Sequence, residues 1–310
     1  MTAVYAADVS DAVQTAARHL VRIETIGGHE KVGSEFAREG TSTGILLDHE
    51  GYVLTAAFNF LHEPAAILLV LPDGTKKVGE KIATDRLRML TLLKANDFAG
   101  SETKMLSMRS KSSLRNGEHC IAVGKVFSAE PNIALGIISG TDRVWGKAIQ
   151  TDAAIGPNNY GGLLIDIEGN ALGIPVPLSM NSPNVTAGAE MYDAGVGMAI
   201  PWEDAMALLP KLKGGQDLFP GSVGFGFNDN QTFVGEPMIA GVQPGSPAAK
   251  AGLKAGDRIV RIDGVPTLSA LDVTKNLRLR YADETLTVVV QRDGAELTVS
   301  LTTINLLGNP

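Results

Sequence analysis

Short apolar runs rich in valine, isoleucine and leucine alternate with turn residues through the first two-thirds of the chain, and this spacing predicts strands. Expected strands are 44–47, 52–56, 66–71, 90–94, 119–123, 132–139, 148–151, 163–167 and 171–175. Turn chemistry separates them at Asp48-His49-Glu50-Gly51, Pro72-Asp73-Gly74 and Glu168-Gly169-Asn170. Helical spacing is confined to a few places. Residues 8–20 open with Asp8 and Ser10 as capping candidates and place Val9, Val13, Ala16 and Leu20 on one face. A second helix begins at Pro201-Trp202-Glu203-Asp204, with proline in its first turn and two acids at the positive end of its dipole. It stops before Lys213-Gly214-Gly215-Gln216, which reads as a linker.

Beyond the linker the pattern restarts as a small α+β unit. Ser246 and Pro247 start a short helix that Gly252 ends. Ser269-Ala270-Leu271-Asp272 opens a longer helix in the manner of a capping box, with Val273 and Leu277 on one face. Strands are expected at 258–262, 285–291 and 296–301, the last two joined by a hairpin turn at Arg292-Asp293-Gly294.

Composition narrows the function classes. The 310 residues leave room for two domains, taken as 8–212 and 218–305. With 44% hydrophobic and 20% charged residues the chain is not globally disordered. Its net charge of −7 argues against a broad basic surface for nucleic acid, and no basic amphipathic stretch invites membrane docking. No apolar run approaches the ~18 residues of a membrane span. The single cysteine, Cys120, excludes an intramolecular disulfide and a multi-cysteine zinc site. The histidines, His19, His29, His49, His62 and His119, are scattered, so no metal or cofactor is expected. His62 beside Glu63 and His29 beside Glu30 read as solvated loops, and His119-Cys120 as part of a structural strand. Met1–Ala7 lacks the charged leader and long apolar core of an intact secretory signal, and fits either a processed remnant or an ordinary mobile terminus.

The second unit resembles a PDZ domain. The resemblance lies in Val242-Gln243-Pro244-Gly245-Ser246-Pro247-Ala248, Ala251-Gly252-Leu253, Gly256-Asp257-Arg258-Ile259 and Ile262-Asp263-Gly264, and is strongest to the bacterial form. It implies a groove that takes an extended C-terminal peptide as an added strand. The carboxylate-binding loop falls on Val223-Gly224-Phe225, with Phe225 and the helix from Ser269 framing the last side chain. Phe225 and Phe227 also fit a plain core role.

Within the first unit, Gln150-Thr151-Asp152-Ala153-Ala154-Ile155, Pro157 and Asn159-Tyr160-Gly161-Gly162 are similar to the nucleophile loop Q-T-D-A-A-I-N-P-G-N-S-G-G of the Deg/HtrA family. Gly51-Tyr52-Val53-Leu54-Thr55 and Gly195-Val196-Gly197-Met198-Ala199-Ile200-Pro201 match two further family elements. The resemblance implies a mostly β chain: a trypsin-like double β-barrel followed by the PDZ unit. It places the catalytic serine at Tyr160, the histidine at Phe58 and the aspartate at Met89, and the oxyanion donors on the amides of Asn158 and Tyr160. Phenylalanine has no lone pair to accept a proton, methionine no charge to steady an imidazolium, and a tyrosine hydroxyl without an adjacent base is a weak nucleophile. Packed together, the three side chains would form an apolar cluster.

The expectation is therefore an inactive homologue of a serine endopeptidase, with no catalytic residues. It would act as a peptide- or protein-binding scaffold, adaptor or chaperone-like regulator for peptides, protein C-termini or misfolded chains. The rival expectation is a serine-endopeptidase-related protein with residual or non-standard hydrolase activity. Family habit further implies an extracytoplasmic compartment, such as a bacterial periplasm. It also implies trimers built through the N-terminal segment, with Tyr5 as a candidate contact, or mixed assembly with an active relative.

Overall fold

The computed structural model describes residues 2–27, 31–32, 35–36, 39–60, 64–98, 100, 106–126, 130–178, 195–228 and 235–308. The chain divides into two compact units, Met1–Asp217 and Leu218–Pro310.

The first unit holds two closed six-stranded barrels. In the first barrel, Leu20–Ile26 pairs with Glu39–Leu46, which pairs with Tyr52–Ala56, then Leu90–Ala95, Lys76–Asp85 and Ala66–Val70, and the last returns to Leu20–Ile26. The second runs Asn132–Arg143, Ala148–Thr151, Gly197–Pro201, Ala171–Pro175, Leu163–Ile165 and His119–Gly124 before closing. Closure leaves no open sheet edge and gives each barrel its own interior. Val21, Ile23, Val53, Leu69 and Leu93 form part of the buried core of the first.

The strands expected at 52–56, 148–151 and 171–175 are found at those limits. Three barrel strands lacked a clear pattern in the sequence. Lys76–Asp85 is polar and alternates between exposed and half-buried positions over most of its length, so barrel closure rather than apolar content defines it. Leu20–Ile26 was hidden by the helix before it. That helix, α1, spans Thr2–Ala17 rather than 8–20, and Leu20 instead pairs with Ile45. Ala16 and Leu20 are both fully buried, so their four-residue spacing satisfies a helical stripe although the chain turns between them. The third is Gly197–Pro201, which closes the second barrel between its neighbours.

Helix α2, Trp202–Lys213, lies against strands of both barrels. At its end the Lys213 ammonium meets Asp48 at 2.7 Å and Glu50 at 2.9 Å. Lys213 and Lys94 also lie over the Tyr52 ring, 4.2 and 4.0 Å from its centroid. Asp217 then accepts the Thr84 amide at 2.7 Å, fixing the exit of the chain.

The second unit has a four-stranded sheet containing Arg258–Ile262, Thr285–Arg292 and Ala295–Thr302, with helices α3, Pro247–Lys250, and α4, Ala270–Arg278. Both helices start as their sequences direct. The Ser246 hydroxyl accepts the Ala249 amide, and Ser269 and Asp272 exchange bonds as a capping box. The hairpin turns at Asp293 and Gly294, with φ of 50° and 81°. Ile259, Val273, Leu286, Val288 and Val290 are central to the core of this unit.

Candidate functional site

The loop 156–162 runs between the barrels because Gly161 and Gly162 have no side chain. Gly161 sits at φ 80°, and a Cβ there would lie 2.3 Å from the Thr43 carbonyl and from Thr55 Oγ1. A Cβ on Gly162 would lie 2.2 Å from the Val123 carbonyl. The Gly161 amide donates to the Pro175 carbonyl at 2.9 Å, and the Gly162 amide to the Asn159 carbonyl at 2.9 Å. Across the seam, Thr55 donates to the Thr43 carbonyl at 2.6 Å and the Thr43 hydroxyl accepts the Lys125 amide at 2.8 Å. This packing seats Tyr160 between the barrels, where it is 2% exposed.

The structure brings Phe58 and Tyr160 into contact, edge to face, with ring centroids 5.7 Å apart and planes at 67°. Phe58 reaches this point from the short 3₁₀ helix Ala57–Phe60 that follows its strand. Met89 is tied to the pair through the backbone, since the Ala57 amide donates to its carbonyl at 2.7 Å. Met89 is buried and has φ 62°, held there by a turn in which the Asp85 carboxylate accepts the Leu87 and Arg88 amides. Burial pushes the Tyr160 hydroxyl up to about 12.

The oxyanion candidates are also placed. The Tyr160 amide donates to the Gly156 carbonyl at 3.2 Å, so it closes the turn. The Asn158 carbonyl receives Thr43 Oγ1 and Asn132 Nδ2, each at 3.4 Å. Beside Tyr160 lies a small crevice whose walls include Ile155, Val176, Leu178, Val196 and Met198, residues the sequence did not single out as site residues. Cys120 is fully buried against Thr151, and burial lifts its thiol to about 11. His29 and His62 lie outside the described residues, as does the side chain of Tyr5.

In the second unit the loop Val223-Gly224-Phe225 has the geometry of a tight backbone turn. Gly224 has φ 79°, and its carbonyl accepts the Gln243 amide at 2.8 Å and the Ser246 hydroxyl at 3.3 Å. Phe225 pairs with Val242 and stacks edge-on with Phe227 at 5.9 Å. Phe225, Phe227 and Leu277 of α4 are partly buried against the core, so each has a packing role as well as an exposed face.

Comparison with known proteins gives a consistent picture. Residues 42–174 match the trypsin-like peptidase domain family and residues 221–303 the PDZ domain family. The chain is 28% identical over 310 residues to the serine endoprotease DegS of Escherichia coli (strain K12), covering 94% of this chain and 84% of that protein. It is 30% identical over 290 residues to a Marinomonas sp. (strain MWYL1) protein named "Probable periplasmic serine endoprotease DegP-like". That match covers 89% of this chain but 59% of the relative. Among solved structures, an HtrA-type protease, AlgW with tripeptide, superposes with a TM-score of 0.73 at 24% identity over 96% of each chain, a likeness of fold.

These relatives overturn one expectation. The chain was expected not to be an enzyme, yet the proteins it resembles over most of its length are named serine endoproteases, which points to a working protease. The expectation equated three changed side chains with loss of the reaction, whereas activity belongs to a whole cleft.

Proposed function

We propose, for a chain that belongs to the Deg/HtrA family of trypsin-like barrels followed by a PDZ domain, that it captures polypeptides by their C-termini and presents them to the barrel unit. The observation that carries this reading is the loop Val223-Gly224-Phe225. A left-handed glycine there holds the backbone in a turn suited to a carboxylate, beside half-buried Phe225. The peptide would extend the sheet at the strand Phe225–Gly226, with its last side chain between Phe225 and α4.

In the barrel unit we assign Phe58, Met89 and Tyr160 to packing. An edge-to-face ring pair and a buried thioether supply no proton acceptor, and Tyr160 keeps its proton far above neutral pH. The periplasmic name of a relative supports an extracytoplasmic setting.

The test is ligand-side. Full-length protein is titrated with peptides ending in an apolar residue, carrying either a free carboxylate or a terminal amide. Amidation should weaken binding at least about tenfold, and Phe225→Ala should weaken the free-acid peptide selectively. Equal affinity for acid and amide forms would remove the carboxylate loop from the reading. Gly224→Glu is unsuitable as the test variant, because a Cβ at Gly224 would lie 2.2 Å from Ser246 Cβ and distort the loop itself.

A further inference from the structure

Lys125 follows the strand His119–Gly124 and is only 9% exposed, one of the few charged residues buried in the first unit. Its backbone is fixed at the seam between the barrels. The Lys125 amide donates to Thr43 Oγ1 at 2.8 Å, and Thr43 Oγ1 in turn reaches the Asn158 carbonyl. The preceding Gly124 lies so close to that carbonyl that a Cβ there would be 2.1 Å from it. Lys125 is therefore held beside the loop that carries Asn158 and Tyr160.

The ammonium has no hydrogen-bond or ion-pair partner among the described residues. The charged groups that act on it are Arg22 and Asp73, and Asp73, the opposite charge, is not in ion-pair contact with it. Arg22 is the cross-strand neighbour of Thr43 and is ion-paired with Glu24. The Asp73 carboxylate accepts the Thr75 amide at 2.8 Å within its own turn. Burial pushes the Lys125 ammonium below its ordinary range, the Arg22 charge adds to the effect and the Asp73 carboxylate opposes it. With no contact partner among the described residues, its three donors remain open to a ligand.

We propose that Lys125 anchors an anion site in the inter-barrel cleft, taking a carboxylate of a bound polypeptide. The site is separate from the carboxylate loop of the second unit. A chain lying along the 156–162 loop would place an acidic side chain, or its own terminus, on the ammonium. Lys125 would then select acidic over neutral segments.

The test uses the full chain and fluorescence anisotropy with an acetylated, amidated hexapeptide of alanine and valine bearing one central aspartate. Its asparagine counterpart is the reference. Amidation keeps both peptides from engaging the other unit through a terminal carboxylate, so failure of that reading leaves this one intact. The aspartate peptide should bind about tenfold more tightly, equivalent to about 1.4 kcal/mol. Lys125→Met should erase that preference and Lys125→Arg should retain most of it.

An asparagine peptide with a free carboxylate, losing affinity in Lys125→Met, would assign the site to chain termini. Loss confined to the aspartate peptide would assign it to acidic side chains. As a second readout that needs no folded variant of altered charge, the protein is reductively methylated with ¹³C. The Lys125 resonance, identified with Lys125→Arg, should move with the aspartate peptide and not with asparagine. Equal binding of the two amidated peptides by wild type, or a Lys125 resonance indifferent to both, overturns the proposal.

Discussion

Tyr160 offers a test in which ring and hydroxyl are separated. The residue is 2% exposed, and its ring meets Phe58 edge-on at 5.7 Å. Truncating a buried aromatic costs about 3–5 kcal/mol, and an aromatic pair contributes about 0.5–1.5 kcal/mol of coupling. Tyr160→Ser should therefore lower the unfolding free energy by about 3–5 kcal/mol. Tyr160→Phe keeps the ring and removes a hydroxyl that has no hydrogen-bond partner among the described residues, so its stability should stay within about 1 kcal/mol of wild type.

The pH dependence separates the two further. The folded hydroxyl titrates at about 12, against about 10 for an ordinary tyrosine. Below pH ~10 both states are protonated, and the stabilisation relative to the ionised unfolded chain is complete. As pH rises from ~10 toward ~12 the unfolded state releases its proton first, so stability falls, by about 2–3 kcal/mol across that window. Tyr160→Phe should lack this component. Urea midpoints for wild type and both variants at neutral and alkaline pH measure all of it. A wild-type-like Tyr160→Ser, or identical alkaline slopes for wild type and Tyr160→Phe, would refute the packing argument.

Other expectations can be checked independently. Cys120, sealed and with its thiol raised to about 11, should resist alkylation in the native protein and react promptly once urea unfolds it. Gly161→Ala combines a left-handed backbone with a Cβ 2.3 Å from two oxygens. It should destabilise by about 3 kcal/mol or more in thermal or urea unfolding, well beyond the ~1–2 kcal/mol of backbone conformation alone. In the second unit, burial raises the Asp257 carboxyl, but Arg292, bound at 2.6 and 2.7 Å, and the Lys254 amide outweigh it and hold it low. Stability from this pair is present above pH ~4 and is lost as pH falls through the depressed value. Arg292→Ala should lower stability near neutral pH by removing the cation beside a 1%-exposed carboxylate, and the loss should shrink in acid.

Several features of the molecule were legible as sequence because they rest on contacts between near neighbours. The capping box at Ser269 and Asp272, the Ser246-Pro247 helix start and the Asp293-Gly294 turn involve residues within a few positions of one another. The apolar strand runs were legible for the same reason, since each carries its own pattern. The candidate positions 58, 89 and 160 came from a longer ordered resemblance, and the structure brings Phe58 against Tyr160 across 102 residues of chain.

The amino-acid order by itself determined the helix caps and most strand positions, because those depend on local backbone preference and apolar spacing. Only the tertiary structure decided that α1 ends before Leu20, that Lys76–Asp85 is a barrel strand, that Gly161 must be bare and that Lys125 is buried. Those outcomes depend on barrel closure, which sets residues distant in sequence against one another and fixes which groups lose water.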